Sequence, residues 1–275
     1  GGWVSPDVSP EIVELTEVED LRELAELFAV VWARPGEPPI SSDVLKALAH
    51  SGNYVAGAYV EQRLIGGLVG WLGGLPPDAL LMHSHILGVL PATQARGLGF
   101  DLKQHQRRWC LARRVRAMEW TTDPLIRRNV YFNISKLGAR ADEYLVDFYG
   151  DMGDGINAGD ESDRLLIRWF LDGSEAESAA AGRSSEPDVE ALSAAGAAVV
   201  LRAGATGGPE ITRSRARVLL CQVPEDAVEL RRTDPDLART WRHALRAAMT
   251  DAMDAGYGVK GATQSGWLVL ESSSF

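Results

Sequence analysis

Two short stretches of this chain carry residue types that can do chemistry. His83 and His85 stand two apart in an apolar, strand-like run, so strand alternation sets both imidazoles on one face. An imidazole titrates near ~6.5, which suits it to accept a proton from an amine close to neutral pH. The same spacing fits two hydrogen-bonded histidines in a core or at a subunit face, and both readings stand at this point. No third ligand lies close by in sequence, so a metal is not expected. The second stretch is residues 87–100, LGVLPATQARGLGF. A Gly-rich turn opening a helix exposes backbone N–H groups that point one way, and glycine lets a ligand approach without a Cβ clash. A pyrophosphate needs such convergent donors. The helix dipole adds ~0.3–1 kcal/mol per charge, and Arg96 can supply a charged hydrogen bond. No Gly-Lys-Ser/Thr follows, which excludes a Walker A loop. The glycines follow an antiparallel-looking meander and the expected acidic residue ~20 positions on is not evident, which argues against a dinucleotide fingerprint.

The surrounding pattern says how these residues are held. Residues 12–16 read as a strand, and Asp20 as the cap of a helix with apolar Leu21, Leu24, Ala25, Phe28 and Val31 at helical spacing. A short helix follows Ser41-Ser42. Strands are expected at 54–60, 64–71 and 80–89, separated by turns at Gln62-Arg63 and 73–78, which together read as an antiparallel meander. Pro91 ends the third, and 98–115 has a helical pattern with Leu102, His105, Trp109 and Ala112 on one stripe. Beyond it come a strand at 117–121, a helix at 129–137 closed by Gly138, and strands at 143–148 and 165–171. Residues from about 172 to 198 are rich in Ala, Ser, Gly and Glu, too poor in large apolar surface to offset the entropy of ordering, and read as a flexible linker. A strand at 218–223, a helix opened by Asp234-Pro235 and ended at Gly256, and a strand pair turning near Ser265-Gly266 complete the chain. The helix stripe is Leu237, Trp241, Leu245, Ala248 and Ala252.

Composition narrows the partners. The chain has 275 residues, 45% of them hydrophobic, and a formal charge of −10. That charge disfavours nucleic acid, because binding a polyanion needs clustered cations to displace counterions. Arg107, Arg108, Arg113, Arg114 and Arg116 do cluster, and read as a solvated helix face. Cys110 and Cys221 have no C-x-x-C spacing, so neither a disulfide framework nor a zinc site is suggested, and Cys110 beside Trp109 reads as a packed thiol. No run reaches the ~20 apolar residues that span a bilayer, and Gly1-Gly2-Trp3-Val4 lacks a leader pattern. A cytoplasmic setting without membrane attachment is expected. Trp32, Trp71 and Trp120 are read as core.

Read together, Val89-x-Pro91, Gln94, Gly97 and Gly99 resemble motif A of the GNAT acyltransferases. Residues 129–139, NVYFNISKLGA, resemble their motif B. The resemblance covers about residues 12–171. His83-Ser84-His85, Lys136-Leu137-Gly138-Ala139, the run 148–152 and 162–165 are similar to a subfamily of predicted GNAT proteins with a C-terminal extension. It implies an α+β fold, a mixed and largely antiparallel central sheet flanked by helices, with a smaller C-terminal α/β extension. The implied domains are 1–171 for acyl-CoA binding, 172–204 as the linker and 205–275 as the extension. The implied activity is direct transfer of an acetyl, succinyl or other short acyl group from acyl-CoA to the amine of an amino acid or small amine. The alternatives are tailoring of a secondary metabolite or antibiotic, and a CoA-binding regulatory protein without catalysis. The cofactor side would be Leu87, Val89, Gln94, Ala95, Arg96, Gly97, Leu98, Gly99 and Phe100, with Leu87 and Val89 pairing their backbone to the pantetheine arm. Asn129 would either touch that arm or cap its helix. In the family a tyrosine four residues before the closing glycine protonates the thiolate; that position is Ile134 here, which leaves Tyr131 as the candidate acid. His83 and His85 would take the base role. Asn157, Asp163 and Arg164 would hold the acceptor, a guanidinium pairing with its carboxylate. Relatives of this kind commonly dimerise.

Overall fold

The computed structural model describes residues 9–75, 79–91, 97–150 and 159–273. Their contacts form two compact units, one ending at Glu119 and one beginning at Trp120. In each, mixed and largely antiparallel strands are flanked by helices, the α+β class expected.

The first unit runs β1 (Glu11–Glu14), α1 (Val18–Val31), α2 (Ser42–His50), β2 (Tyr54–Val60), β3 (Arg63–Leu75), β4 (Ala79–Val89), α3 (Leu98–Ala112) and the first half of β5 (Ala117–Thr122). The strands lie in chain order; β1 to β4 are antiparallel, while β4 and β5 run parallel, paired at Met82–Met118 and His83–Glu119. Leu21, Leu24 and Phe28 recur at helical spacing on α1 and are fully buried, in one core with Val55, Leu64, Val69 and Ile86. Gly67 and Gly88 face each other across β3 and β4. A Cβ on Gly67 would overlap Leu24 Cδ1, and one on Gly88 would lie 2.9 Å from Phe28 Cδ1. The glycine pair is what lets α1 settle on the sheet.

Three expectations shift here. Glu17, not Asp20, occupies the cap of α1; Asp20 falls in the first turn, where it still favours the helix dipole. β3 continues through Gly73 and Gly74 to Leu75, because those glycines keep pairing with Leu81 and Leu80. α3 stops at Ala112, where Arg114 turns left-handed and the N–H of Val115 returns to the carbonyl of Cys110. Ala112 is exposed, and the buried face of α3 instead includes Lys103, Gln104 and Gln106.

The second unit contains α4 (Arg127–Tyr131), continued by a π-turn over Phe132–Lys136, then β6 (Arg140–Leu145), β7 (Arg164–Phe170), α5 (Ser174–Ala180) and α6 (Val189–Ala194). β8 (Ala198–Ala203), β9 (Pro209–Ile211), β10 (Val218–Gln222), α7 (Ala227–Thr233), α8 (Pro235–Asp254), β11 (Tyr257–Ala262) and β12 (Trp267–Ser272) follow. Strand order is β7-β6-β11-β12-β10-β8-β9, with β8 and β10 parallel. The expected linker is structured. Small residues suffice because Ala176 and Ala179 are buried and Gly138, at φ +76°, lets the backbone of Glu175 come within 2.6 Å of where a Cβ would sit. Asp188 caps α6 by accepting from Ala191 N, and β8 pairs with β10 and β9. Asp234 caps α8 with Pro235 in its first turn, as expected.

Residues 205–275 do not stand apart as a separate extension. β11 pairs with β6 at Val259–Ala141, and α8 is tied by charge to the segments around β7. Arg242, 1% exposed, donates to both oxygens of Asp123 at 2.7 and 2.8 Å and to Asp160 at 2.5 Å. A guanidinium this deep is tolerable only against carboxylates, which outweigh the burial that works against its charge. Among the described residues, no helix is long and apolar enough to cross a membrane.

Asp123→Ala leaves Arg242 half-compensated and is expected to cost about 3–5 kcal/mol of unfolding free energy in denaturant melts. Arg215→Ala, which breaks the exposed pair with Asp251, should leave the denaturation midpoint unchanged.

Candidate functional site

The histidines sit on a strand that is not regular. β3 and β4 pair Val69 with Ile86 and then Gly70 with Ser84, so His85 is an extra residue bulged out of the ladder. Gly70 is required opposite it. A Cβ there would lie 2.7 Å from Gln106 Nε2 and Met82 Sδ and 2.8 Å from the carbonyl of His83. His83 and His85 share one face, with His83 Nε2 3.3 Å from His85 Nδ1. The ring of Trp71, whose backbone pairs with that of His83, supports both, its centroid 4.9 Å from one imidazole and 4.6 Å from the other. Trp71 is thus half-buried beneath the histidine pair and is not the core residue expected of it. Finding it from sequence would have required the register, which depends on the bulge.

Burial, then Lys103, pushes His83 below the ordinary histidine value, with Glu119 opposing. Packing against the neighbouring rings takes His85 down to about 4, with His83 adding to the effect. Both imidazoles are therefore neutral at pH 7, and a neutral imidazole is the form that accepts a proton.

On the opposite face of β4, Met82, Ser84 and Ile86 point into the core. Lys103 of α3, 3% exposed, donates from Nζ to Ser84 Oγ at 2.9 Å and lies 4.0 Å from Met118 Sδ. The Ser84 hydroxyl donates in turn to Gln106 Oε1 at 2.9 Å. Burial holds the Lys103 ammonium well below the usual lysine value. Sequence reasoning missed this cluster, since polar residues on a helix read by default as its solvated side.

β4 pairs with β5 only at Met82 and His83. From Ser84 to Val89 its edge away from β3 has no strand partner among the described residues, which leaves backbone groups around Leu87 and Val89 open to an added chain. Gln94, Ala95 and Arg96 lie outside the described residues. Gly97 stands at the cap of α3 with φ +83°, a conformation that calls for glycine although nothing crowds the position. Among the described residues, no side chain caps α3. Leu98 is buried beneath the turn, and Gly99 and Phe100 are half-buried in the first helical turn.

The remaining candidates belong to the second unit. Asn129 is exposed in the third helical position of α4, so it is not the cap; Ile126 holds that place. The Tyr131 hydroxyl accepts from Gln264 Nε2 at 3.1 Å in the turn between β11 and β12, and Ile134 is buried. Asp163 is fully buried. It accepts from Tyr144 Oη at 2.6 Å, Asp147 N at 3.0 Å, Arg246 Nε at 2.9 Å and Arg246 Nη2 at 2.8 Å, and Arg246 also pairs with Glu161. Burial raises its pKa, but the Arg246, Tyr144 and backbone hydrogen bonds outweigh that and hold it below the ordinary carboxylate value. Arg164 is buried, donates to the carbonyl of Asp163 at 2.8 Å and stacks toward the Tyr149 ring. Both residues therefore serve the interior rather than an open acceptor pocket. Asn157 lies outside the described residues. Cys110 is buried and its thiol pushed up to about 12, which fits a packed thiol.

No family model and no curated protein matches this sequence. Among solved structures, Naa50 of Arabidopsis thaliana in complex with the bisubstrate analogue CoA-Ac-MVNAL is 17% identical, over 59% of this chain and 99% of that one, at a TM-score of 0.47. A putative acetyltransferase, yncA, of Salmonella typhimurium with acetyl-CoA is 13% identical over 66% of this chain and 99% of its own, also at 0.47. An aminoglycoside acetyltransferase from an uncultured soil metagenomic sample, in complex with sisomicin, is 20% identical over 46% and 84%, at 0.40.

Ring titration by NMR should place both histidines below ~6.5, His85 lowest. Because the unfolded chain takes up protons that the folded chain refuses, stability should fall as pH drops from ~6.5 through the two folded values. His85→Gln should flatten that slope.

Proposed function

We propose that this chain is an acyl-CoA-dependent N-acyltransferase of the GNAT type. The observation that carries the reading is the edge of β4 from Ser84 to Val89, which has no strand partner among the described residues, together with the left-handed Gly97 that opens α3. A pantetheine arm can add to the Leu87–Val89 edge as a strand would, while a pyrophosphate meets the N–H groups and the positive dipole end of α3. These are the features that the motif A resemblance implies. They coincide with the residues that carry it.

On this reading His83 or His85, neutral at pH 7, takes the proton of the attacking amine, directly or through one water. The amine nitrogen bonds to the acyl carbon, a backbone N–H of the bulge steadies the oxyanion, and collapse expels the CoA thiolate. Acetyl-CoA and succinyl-CoA are the donors to examine, with amino acids and other small amines as acceptors. One observation favours a second reading, a CoA-binding protein without turnover. The Tyr131 hydroxyl is engaged by Gln264, and the family's usual tyrosine position is the apolar Ile134.

The deciding assay incubates the purified chain with acetyl-CoA or succinyl-CoA against a panel of D- and L-amino acids and polyamines, and records free thiol. Amine-dependent release is expected; CoA binding with silence across the panel would favour the second reading. Where turnover is found, His83→Gln should lower kcat/KM by roughly 10²–10⁴-fold if that imidazole is the base. Gly97→Val should instead weaken CoA binding, read by calorimetry, because the β-branched residue resists φ +83°.

A further inference from the structure

We propose that Lys103 is a positioning residue for the histidine pair: through Ser84 it fixes the inner side of the bulged β4 segment whose outer side carries both imidazoles. The inference deepens the acyltransferase reading and rests on it for the role of His83 as base.

The geometry runs through one strand residue. Ser84 lies between His83 and His85 in sequence and opposite Gly70 in register, so it is the inner residue of the bulge itself. Its hydroxyl is used in both directions, accepting from Lys103 Nζ at 2.9 Å and donating to Gln106 Oε1 at 2.9 Å. Gln106 in turn packs against the Gly70 position. Two residues of α3, three apart and so on one face, thereby grip the one point of β4 where the ladder slips. A bulge is locally free to change register or to slide the extra residue along; a two-sided hydrogen bond on the adjacent residue removes that freedom.

Burying a lysine this deeply disfavours its charged form, and cores normally place an apolar side chain at such a position. Departures from that rule are expected where a site demands them. Lys103 also bears on His83 electrostatically. Among the described residues, the charged and titratable groups that act on that imidazole are Lys103 on α3, Glu119 on β5 and His85 along β4. Lys103 and Glu119 act in opposite senses, so removing the lysine leaves Glu119 to favour the imidazolium.

The test uses the whole chain and two substitutions, Lys103→Met and Ser84→Ala. The His83 ring signal, assigned by its loss in His83→Gln, is followed by NMR across pH. Both variants should fold, with the His83 midpoint raised in Lys103→Met. In Ser84→Ala, which keeps the lysine but cuts the link, the His83–His85 ring contact seen by nuclear Overhauser effects should weaken. Kinetically, kcat should fall about tenfold in either variant while the acyl-CoA dissociation constant stays within about twofold, since the α3 start is untouched. Unchanged titration, ring contacts and kcat in folded variants would overturn the proposal. If Lys103→Met does not fold, Ser84→Ala decides alone, by loss or retention of the ring contact. Should no acyl-CoA and amine pair turn over even in the unaltered chain, the acyltransferase reading fails, yet the NMR arm still decides whether Lys103 positions the pair.

Discussion

The first unit depends on a single irregularity, the extra residue that β4 inserts at His85. A regular ladder would carry β4 on beside β3 with each residue paired. The bulge instead demands a glycine at position 70, because any Cβ there meets Gln106, Met82 and the His83 carbonyl. Ser84, on the buried face beside it, is held by two side chains of α3. On the other face two imidazoles lie tilted against the Trp71 ring, both shifted toward the neutral form. The glycine at position 70 and the Lys103 contact to Ser84 thus meet at one backbone event.

The second unit solves a different problem, which is how to keep charge inside. Arg242 and Arg246 stand one turn apart on α8, and each meets two carboxylates, Asp123 with Asp160 and Asp163 with Glu161. Taking these ions out of water is costly, and their attraction repays it only with good geometry, which the paired oxygens of Asp123 and Asp163 supply. Because each arginine reaches carboxylates far from it in sequence, α8 cannot be removed without stranding charge near β7. That is why residues 205–275 are not an independent appendage, and why Asp163, which looked like an acceptor-binding group, is committed to the interior.

Both units therefore bury polar groups, with unlike effect. The α8 network consists of opposite charges held in place by mutual saturation. The Ser84–Lys103–Gln106 cluster is softer: the Gln106 amide nitrogen finds no partner among the described residues, and the ammonium of Lys103 is disfavoured by burial. Stability is conceded at that cluster, directly behind the residues whose placement matters most for the proposed chemistry.

The sequence by itself determined the order of elements through β7, the Gly97 turn into α3, the His83 and His85 pairing on one face, and the Asp234-Pro235 start of α8. Each of these rests on local physics: strand alternation, helical spacing, the conformational freedom of glycine and capping by a short carboxylate. Only the tertiary structure decided the rest. Alanine-rich residues from about 172 to 198 looked unable to fold because the close approach that Gly138 permits to Glu175 is invisible in composition. Asp163 looked like an acceptor-binding group because the partner that engages it, Arg246, lies 83 positions away. The bulge at His85, and with it Trp71, Gly70 and Lys103, stayed hidden because register belongs to two strands at once, and no single stretch of chain records where its partner slips.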